Sequence, residues 1–187
     1  PSRAAFLTGN YQHRYGFEFL PDLFNLSPRV RKADFKRFGH KDNFPAWYEK
    51  SVPVNQRGLD PYVSTIGDYL KKSGYKTSVI GKWHMGSLSK YNPRNFGFDQ
   101  HYGISGAGSL YAPLNKENII ESRQTWDFAD FITWQVTNYY ALENGQNIIP
   151  ENSEYLTDVF TKKAVDFIKT NKNNSFFLHL SHMAPHG

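Results

Sequence analysis

The chain contains no cysteine. That excludes a disulfide scaffold and any cysteine-ligated zinc centre within this stretch, and it leaves the redox compartment open. No apolar run approaches the length that crosses a bilayer, so no membrane span is expected, and no nucleic-acid partner is expected either. Internal repeats and low-complexity tracts are missing as well. An initiating Met is also lacking: the chain opens at Pro1 and closes at Gly187, directly after a motif, and is expected to be an internal piece of a longer protein. Any signal peptide would then lie upstream of Pro1, and its absence carries no information about secretion.

What is present is enough for one domain. The 187 residues can bury a real core, and a net charge of +5 with seven His suits an anionic substrate, although a solvated surface accounts for such a charge equally well. Apolar periodicity alternates between helical and strand-like segments, which points to an α/β fold with a central, mostly parallel sheet flanked by helices.

Ala4 to Leu7 should open a helix. Residues 11–60 carry Pro21, Pro28, Pro45 and Pro53 and the basic cluster Arg29, Arg31, Lys32, Lys36, Arg37, His40 and Lys41; only Val30 to Phe38 could be a short helix there. Such a run is either a solvated face or a surface for substrate contacts. Ser64 to Ser73 reads as a helix capped by Ser64 or Thr65 and stopped by Gly74, feeding a strand over Lys76 to Ile80. Asn144-Gly145 reads as a hairpin turn, since both residues tolerate positive φ. Glu154 to Thr170 is an amphipathic helix with Leu156, Phe160, Ala164, Phe167 and Ile168 on one face, followed by a buried strand over Phe176 to Leu180. The residues just past the two strands are Gly81-Lys82-Trp83-His84 and Ser181 to His186, at the edge where open α/β sheets bind ligands.

Three stretches carry a family signature. They are Pro1-Ser2-Arg3-Ala4-Ala5-Phe6-Leu7-Thr8-Gly9, Gly74-Tyr75-Lys76-Thr77-Ser78-Val79-Ile80-Gly81-Lys82-Trp83-His84, and Phe176-Phe177-Leu178-His179-Leu180-Ser181-His182-Met183-Ala184-Pro185-His186. Each is weak alone. In this order and spacing, with Gly97-Phe98-Asp99 between the second and third, the chain resembles a sulfatase. The resemblance implies an alkaline phosphatase-like fold, of which residues 1–187 form part of a single N-terminal catalytic domain truncated at both ends.

It also implies a mechanism. A Cys or Ser two residues before Pro1, converted to formylglycine by a formylglycine-generating or equivalent maturation enzyme, would be the nucleophile, placed at the helix start with Arg3 orienting it. Lys82 would hold a sulfate oxygen, His84 would take a proton from the hydrated aldehyde, and His186 would bind the substrate and protonate the leaving group. The family's divalent metal, usually Ca²⁺, takes ligands expected outside this chain, so no metal ligand is assigned here and this piece alone is expected to be inactive. The substrate would be a sulfated carbohydrate or an aryl sulfate, and a periplasmic or secreted location is expected. Tyr11 to Phe19 resembles sulfatases acting on sulfated carbohydrates.

Competing readings stand beside these. The same fold and much of the motif serve phosphonate or phosphodiester hydrolases, and a non-catalytic sulfated-glycan binder is a third reading. His179, His182 and His186 have a zinc-like spacing, but Pro185 breaks a helical alignment and a strand would turn His179 and His182 to opposite faces. Trp47, Tyr48 and Trp126 could stack on sugars, although aromatics more often pack a core.

Overall fold

A computed structural model describes residues 2–15, 56–106, 108–122, 126, 127, 134, 137–150 and 154–185. The basic cluster, the Val30 to Phe38 segment, Trp47, Tyr48 and His186 lie outside the described residues. The centre is β1, Lys76–Lys82, flanked on one side by β2, Gln100–Ile104, and on the other by β5, Phe176–Ser181, both parallel to it. A hairpin of β3, Ala141–Glu143, and β4, Gln146–Ile148, extends the sheet antiparallel beyond β2, giving the order β4-β3-β2-β1-β5. The sheet is therefore mixed, with its β2-β1-β5 part parallel.

Local sequence explains most of these elements. Helix α2, Ile66–Lys72, begins with a capping box: Thr65 accepts from the Gly67 N–H, and the Asp68 carboxylate accepts from the Thr65 N–H at 2.8 Å. The Thr65 hydroxyl also donates to the Phe96 carbonyl at 2.8 Å, tying the helix start to the segment that leads into β2. Gly74, at φ +85°, turns the chain into β1. Asn144 and Gly145 take φ values of +52° and +95°, the geometry that a two-residue hairpin of the favoured twist requires.

Two cores cover the two faces. Helix α3, Leu156–Asn171, buries Leu156, Val159, Phe160, Ala164 and Phe167 against Ile80, Tyr102, Ile104 and Met183. On the other face, Ala4 and Leu7 of α1, Ser2–Thr8, join Val79, Trp83, Met85, Phe96 and Phe98.

Three expectations change. Strand β1 runs to Lys82 instead of stopping at Ile80, because β2, which the sequence pattern does not announce, supplies Gly103 and Ile104 as partners for Gly81 and Lys82. Ile168 is 42% exposed and Val159 takes its place in the apolar stripe. Strand β5 is only half-buried, with Leu180 40% exposed, since among the described residues it pairs with β1 alone.

His101 and His179 sit on β2 and β5 at the same level as Val79 of β1. Burial lowers the His101 imidazole from 6.5 to about 4, and burial first, then the charge of Arg3, lowers His179 to about 4. Between pH 6.5 and 4 the unfolded chain binds protons that the native imidazoles refuse, so stability is intact above pH 6.5 and is lost as pH falls through that window. The urea midpoint of the full-length protein should fall across this range, and His101→Leu should flatten the decline. An unchanged slope in that variant would show that His101 does not set it.

Candidate active site

The carboxyl end of β1 is shaped by what two residues lack. Gly81 lies at φ +105°, and a Cβ there would overlap the Ser181 carbonyl of β5. A Cβ on Gly103 would overlap the Gly81 carbonyl in the same way. The rung Gly103–Gly81–Ser181 thus brings three backbones together with a single side chain on it, that of Ser181.

Lys82 closes the strand at 4% exposure, and the segment after it is clamped to the carboxyl end of β2. The Trp83 N–H donates to the Ile104 carbonyl at 2.8 Å and the His84 N–H to the Ser105 carbonyl at 3.0 Å. Trp83 is the anchor: its indole N–H donates to the Tyr91 carbonyl at 2.7 Å, and its ring packs at 5.6 Å from Phe96 and 6.1 Å from Phe98. His84 follows in the left-handed region, φ +56°, a conformation a non-glycine residue adopts only where its surroundings impose it.

Helix α1 meets this end on the same face as Trp83. Arg3 Nε donates to Ser181 Oγ at 3.0 Å, and one turn later Phe6 stacks on His179 with ring centroids 5.5 Å apart. Because the later helix residue meets the earlier strand residue, α1 runs antiparallel to β5 and its first turn lies over the strand's carboxyl end. The helix ends where its motif does: the Thr8 hydroxyl donates to the Ala4 carbonyl at 2.7 Å, and Gly9, at φ +66°, donates its N–H to the Ala5 carbonyl.

Half-buried Arg3 and buried Lys82 therefore stand close enough to interact. Burial lowers the pKa of Arg3, and burial followed by repulsion from Arg3 lowers Lys82 from 10.5 to about 8. Among the described residues neither forms an ion pair with a carboxylate. Desolvated positive charge without a counter-charge is costly, and a bound anion would offset that cost.

Of the four residues read from sequence, Arg3, Lys82 and His84 are assigned to this end of the sheet, Arg3 close enough to Lys82 to shift it, and His186 lies outside the described residues. The sequence pattern does not mark Ser181 as functional; its contact with Arg3 joins positions 178 residues apart, and no local signal announces it. His179 faces Phe6 while the His182 ring lies 6.4 Å from Phe160, on the α3 side, so the two imidazoles do diverge. Among the described residues no group of three His, Asp or Glu could hold a metal ion. A cavity of about 300 Å³ lined by Ser78, Gln100, Glu143 and Lys163 belongs to the other end of the sheet and includes neither cation.

Known proteins resemble this chain over its whole length. The family model described as Sulfatase matches residues 1–187. N-acetylgalactosamine-6-sulfatase of Homo sapiens is 27% identical over 188 residues, 100% of this chain and 30% of that protein. N-acetylglucosamine-6-O-sulfatase of Bacteroides thetaiotaomicron is 27% identical over 187 residues, 100% of this chain and 22% of that protein. The crystal structure of Ps i-CgsB in complex with k-i-k-neocarrahexaose superposes with a TM-score of 0.62 at 28% identity, covering 100% of this chain and 34% of that one. The chain spans about a third or less of the length of these relatives.

With Lys82 lowered, an anion held beside it would bind in a pH-dependent way. An anion prefers the protonated amine, so affinity is constant below about pH 8 and falls above it, roughly tenfold per pH unit. Calorimetric titration of the full-length protein with inorganic sulfate at pH 7 and pH 9.5 should show this loss, and Lys82→Met should abolish it. A loss of the same size in Lys82→Met would place the titrating group elsewhere.

Proposed function

This chain belongs to the sulfatase family, and we propose that the full-length protein hydrolyses the sulfate ester of a sulfated carbohydrate or an aryl sulfate. The observation that carries the proposal is that half-buried Arg3 and buried Lys82, close enough to interact and without a carboxylate partner among the described residues, stand at the carboxyl end of the parallel strands. The names of the two curated relatives, both sulfatases of N-acetylated amino sugars, support a carbohydrate sulfate as substrate.

Cleaving a sulfate ester needs an attacking oxygen, compensation of charge on the non-bridging oxygens, and a proton for the departing alkoxide. In this proposal the attacking oxygen would come from a formylglycine made by a maturation enzyme from a Cys or Ser upstream of Pro1, and Ca²⁺, bound by residues outside this chain, would supply its activation. Among the described residues no group of three His, Asp or Glu could hold that cation. Lys82, desolvated and fixed at the strand end, holds one sulfate oxygen. Arg3, in the first turn of α1, orients the nucleophile and turns its Nη edge to the same sulfate. His84 accepts a proton at the nucleophile, and His186 binds the substrate and donates a proton to the leaving oxygen; imidazole suits both tasks because its ordinary pKa is near neutral.

Steady-state hydrolysis of 4-nitrophenyl sulfate and of bis(4-nitrophenyl) phosphate by the full-length protein tests the reading. The sulfate ester should be the better substrate, and Lys82→Ala should lower kcat/KM at least about a hundredfold, on the order of 3 kcal/mol, because it removes a cation from a desolvated site. Lys82→Arg should recover only part of the loss, since a planar fork replaces a point charge. A preference for the phosphodiester would assign the chain to that chemistry, and near-normal activity in Lys82→Ala would make Lys82 structural.

A further inference from the structure

We propose that Ser181 is the positioning residue of the site: its hydroxyl fixes the guanidinium of Arg3 at the carboxyl end of β5, so that Arg3 meets the substrate anion already oriented. The inference rests on the proposed sulfatase reading and adds to it a residue that none of the three sequence motifs marks by chemistry.

The geometry is specific. On the rung formed by β2, β1 and β5, Gly103 and Gly81 carry no side chains and have no room for one, so the Ser181 hydroxyl is the sole side-chain polar group there. Arg3 Nε donates to it at 3.0 Å in a partly buried setting. A guanidinium has five N–H donors, and this bond uses the one on Nε. The four on the two Nη atoms make no hydrogen bond or ion pair among the described residues. Holding Nε fixes the plane of the fork while its bidentate edge stays available to an anion.

A second contact sets where that fork stands. Phe6, one turn along α1 from Arg3, stacks on His179, two residues before Ser181 on the same strand face. The aromatic contact fixes the helix along β5, and the hydroxyl then fixes the side chain. An Arg tethered in this way has less rotational freedom to lose when the anion binds, so its orientation contributes to the rate.

The test is a double-mutant cycle in the full-length enzyme, read as kcat/KM on 4-nitrophenyl sulfate and as affinity for inorganic sulfate. Ser181→Thr and Ser181→Val have the same shape and both suit a strand; they differ in the hydroxyl alone. The threonine variant should stay within about threefold of wild type, and the valine and alanine variants should lose about tenfold in kcat/KM with thermal midpoints unchanged. In an Arg3→Lys background, which lacks the Nε–H, Ser181→Val should cost less than about twofold. Equal activity of the threonine and valine variants, or an equal loss from Ser181→Val in the wild-type and Arg3→Lys backgrounds, would overturn the proposal. If the wild-type enzyme shows no sulfate ester hydrolysis, the functional reading fails by itself, and the sulfate-affinity cycle still decides the role of Ser181.

Discussion

The close approach of three backbones at Gly103, Gly81 and Ser181 is the constraint on which the rest of this end of the molecule depends. A methyl group at position 81 would overlap the Ser181 carbonyl, and one at 103 would overlap the Gly81 carbonyl. With both positions bare, β1 continues two residues past Ile80, and Lys82 leaves the sheet still paired with Ile104. The same rung puts Ser181 beneath Arg3, and from there the antiparallel course of α1 follows. Glycine is required by space at both positions and also by φ at Gly81, and any larger residue would have to separate β5, β1 and β2 at this rung.

Placing two cations there works against stability. Burial disfavours the charged forms of both Arg3 and Lys82, and each repels the other, which is why Lys82 comes down to about 8. The surrounding structure compensates with apolar burial: Trp83 is fully buried beside Phe96 and Phe98, and its indole N–H is satisfied by the Tyr91 carbonyl. Gly-Lys-Trp-His thus divides its labour along the chain. Gly81 permits the approach, Lys82 carries the charge, Trp83 anchors the segment, and His84 is held in a backbone conformation that the anchor imposes. A bound anion would relieve the repulsion between Arg3 and Lys82, so ligand affinity and the cost of holding the two cations together have one electrostatic origin.

What the sequence makes legible follows from the range of the forces involved. The capping box at Thr65, the Asn144-Gly145 turn and the stripe on α3 are local, and their residues announce them. Strand β2 is not announced: Gln100-His101-Tyr102-Gly103-Ile104 alternates weakly, includes a His and a Gly, and is a strand because β1 and β3 pair with it on either side. The extension of β1 through Gly81 and Lys82 is hidden for the same reason, since Gly-Lys reads as the start of a loop. The placement of Arg3, Lys82 and His84 at one end of the sheet follows the motif spacing, which puts Lys82 and His84 at the end of β1 and Arg3 at the start of α1. Ser181 is not legible in this way, because its contact depends on the register of β5 against β1 and on the direction of α1.

The central claim is that Arg3 and Lys82 form one anion site at the carboxyl end of β1 and β5. The most direct measurement is a crystal structure of the full-length protein soaked in selenate, with the ion located by its anomalous scattering. Selenate oxygens are expected at about 3 Å from both Lys82 Nζ and an Arg3 Nη, with Arg3 Nε still on Ser181. Selenate bound elsewhere, with Lys82 and Arg3 each ion-paired to a carboxylate, would contradict it.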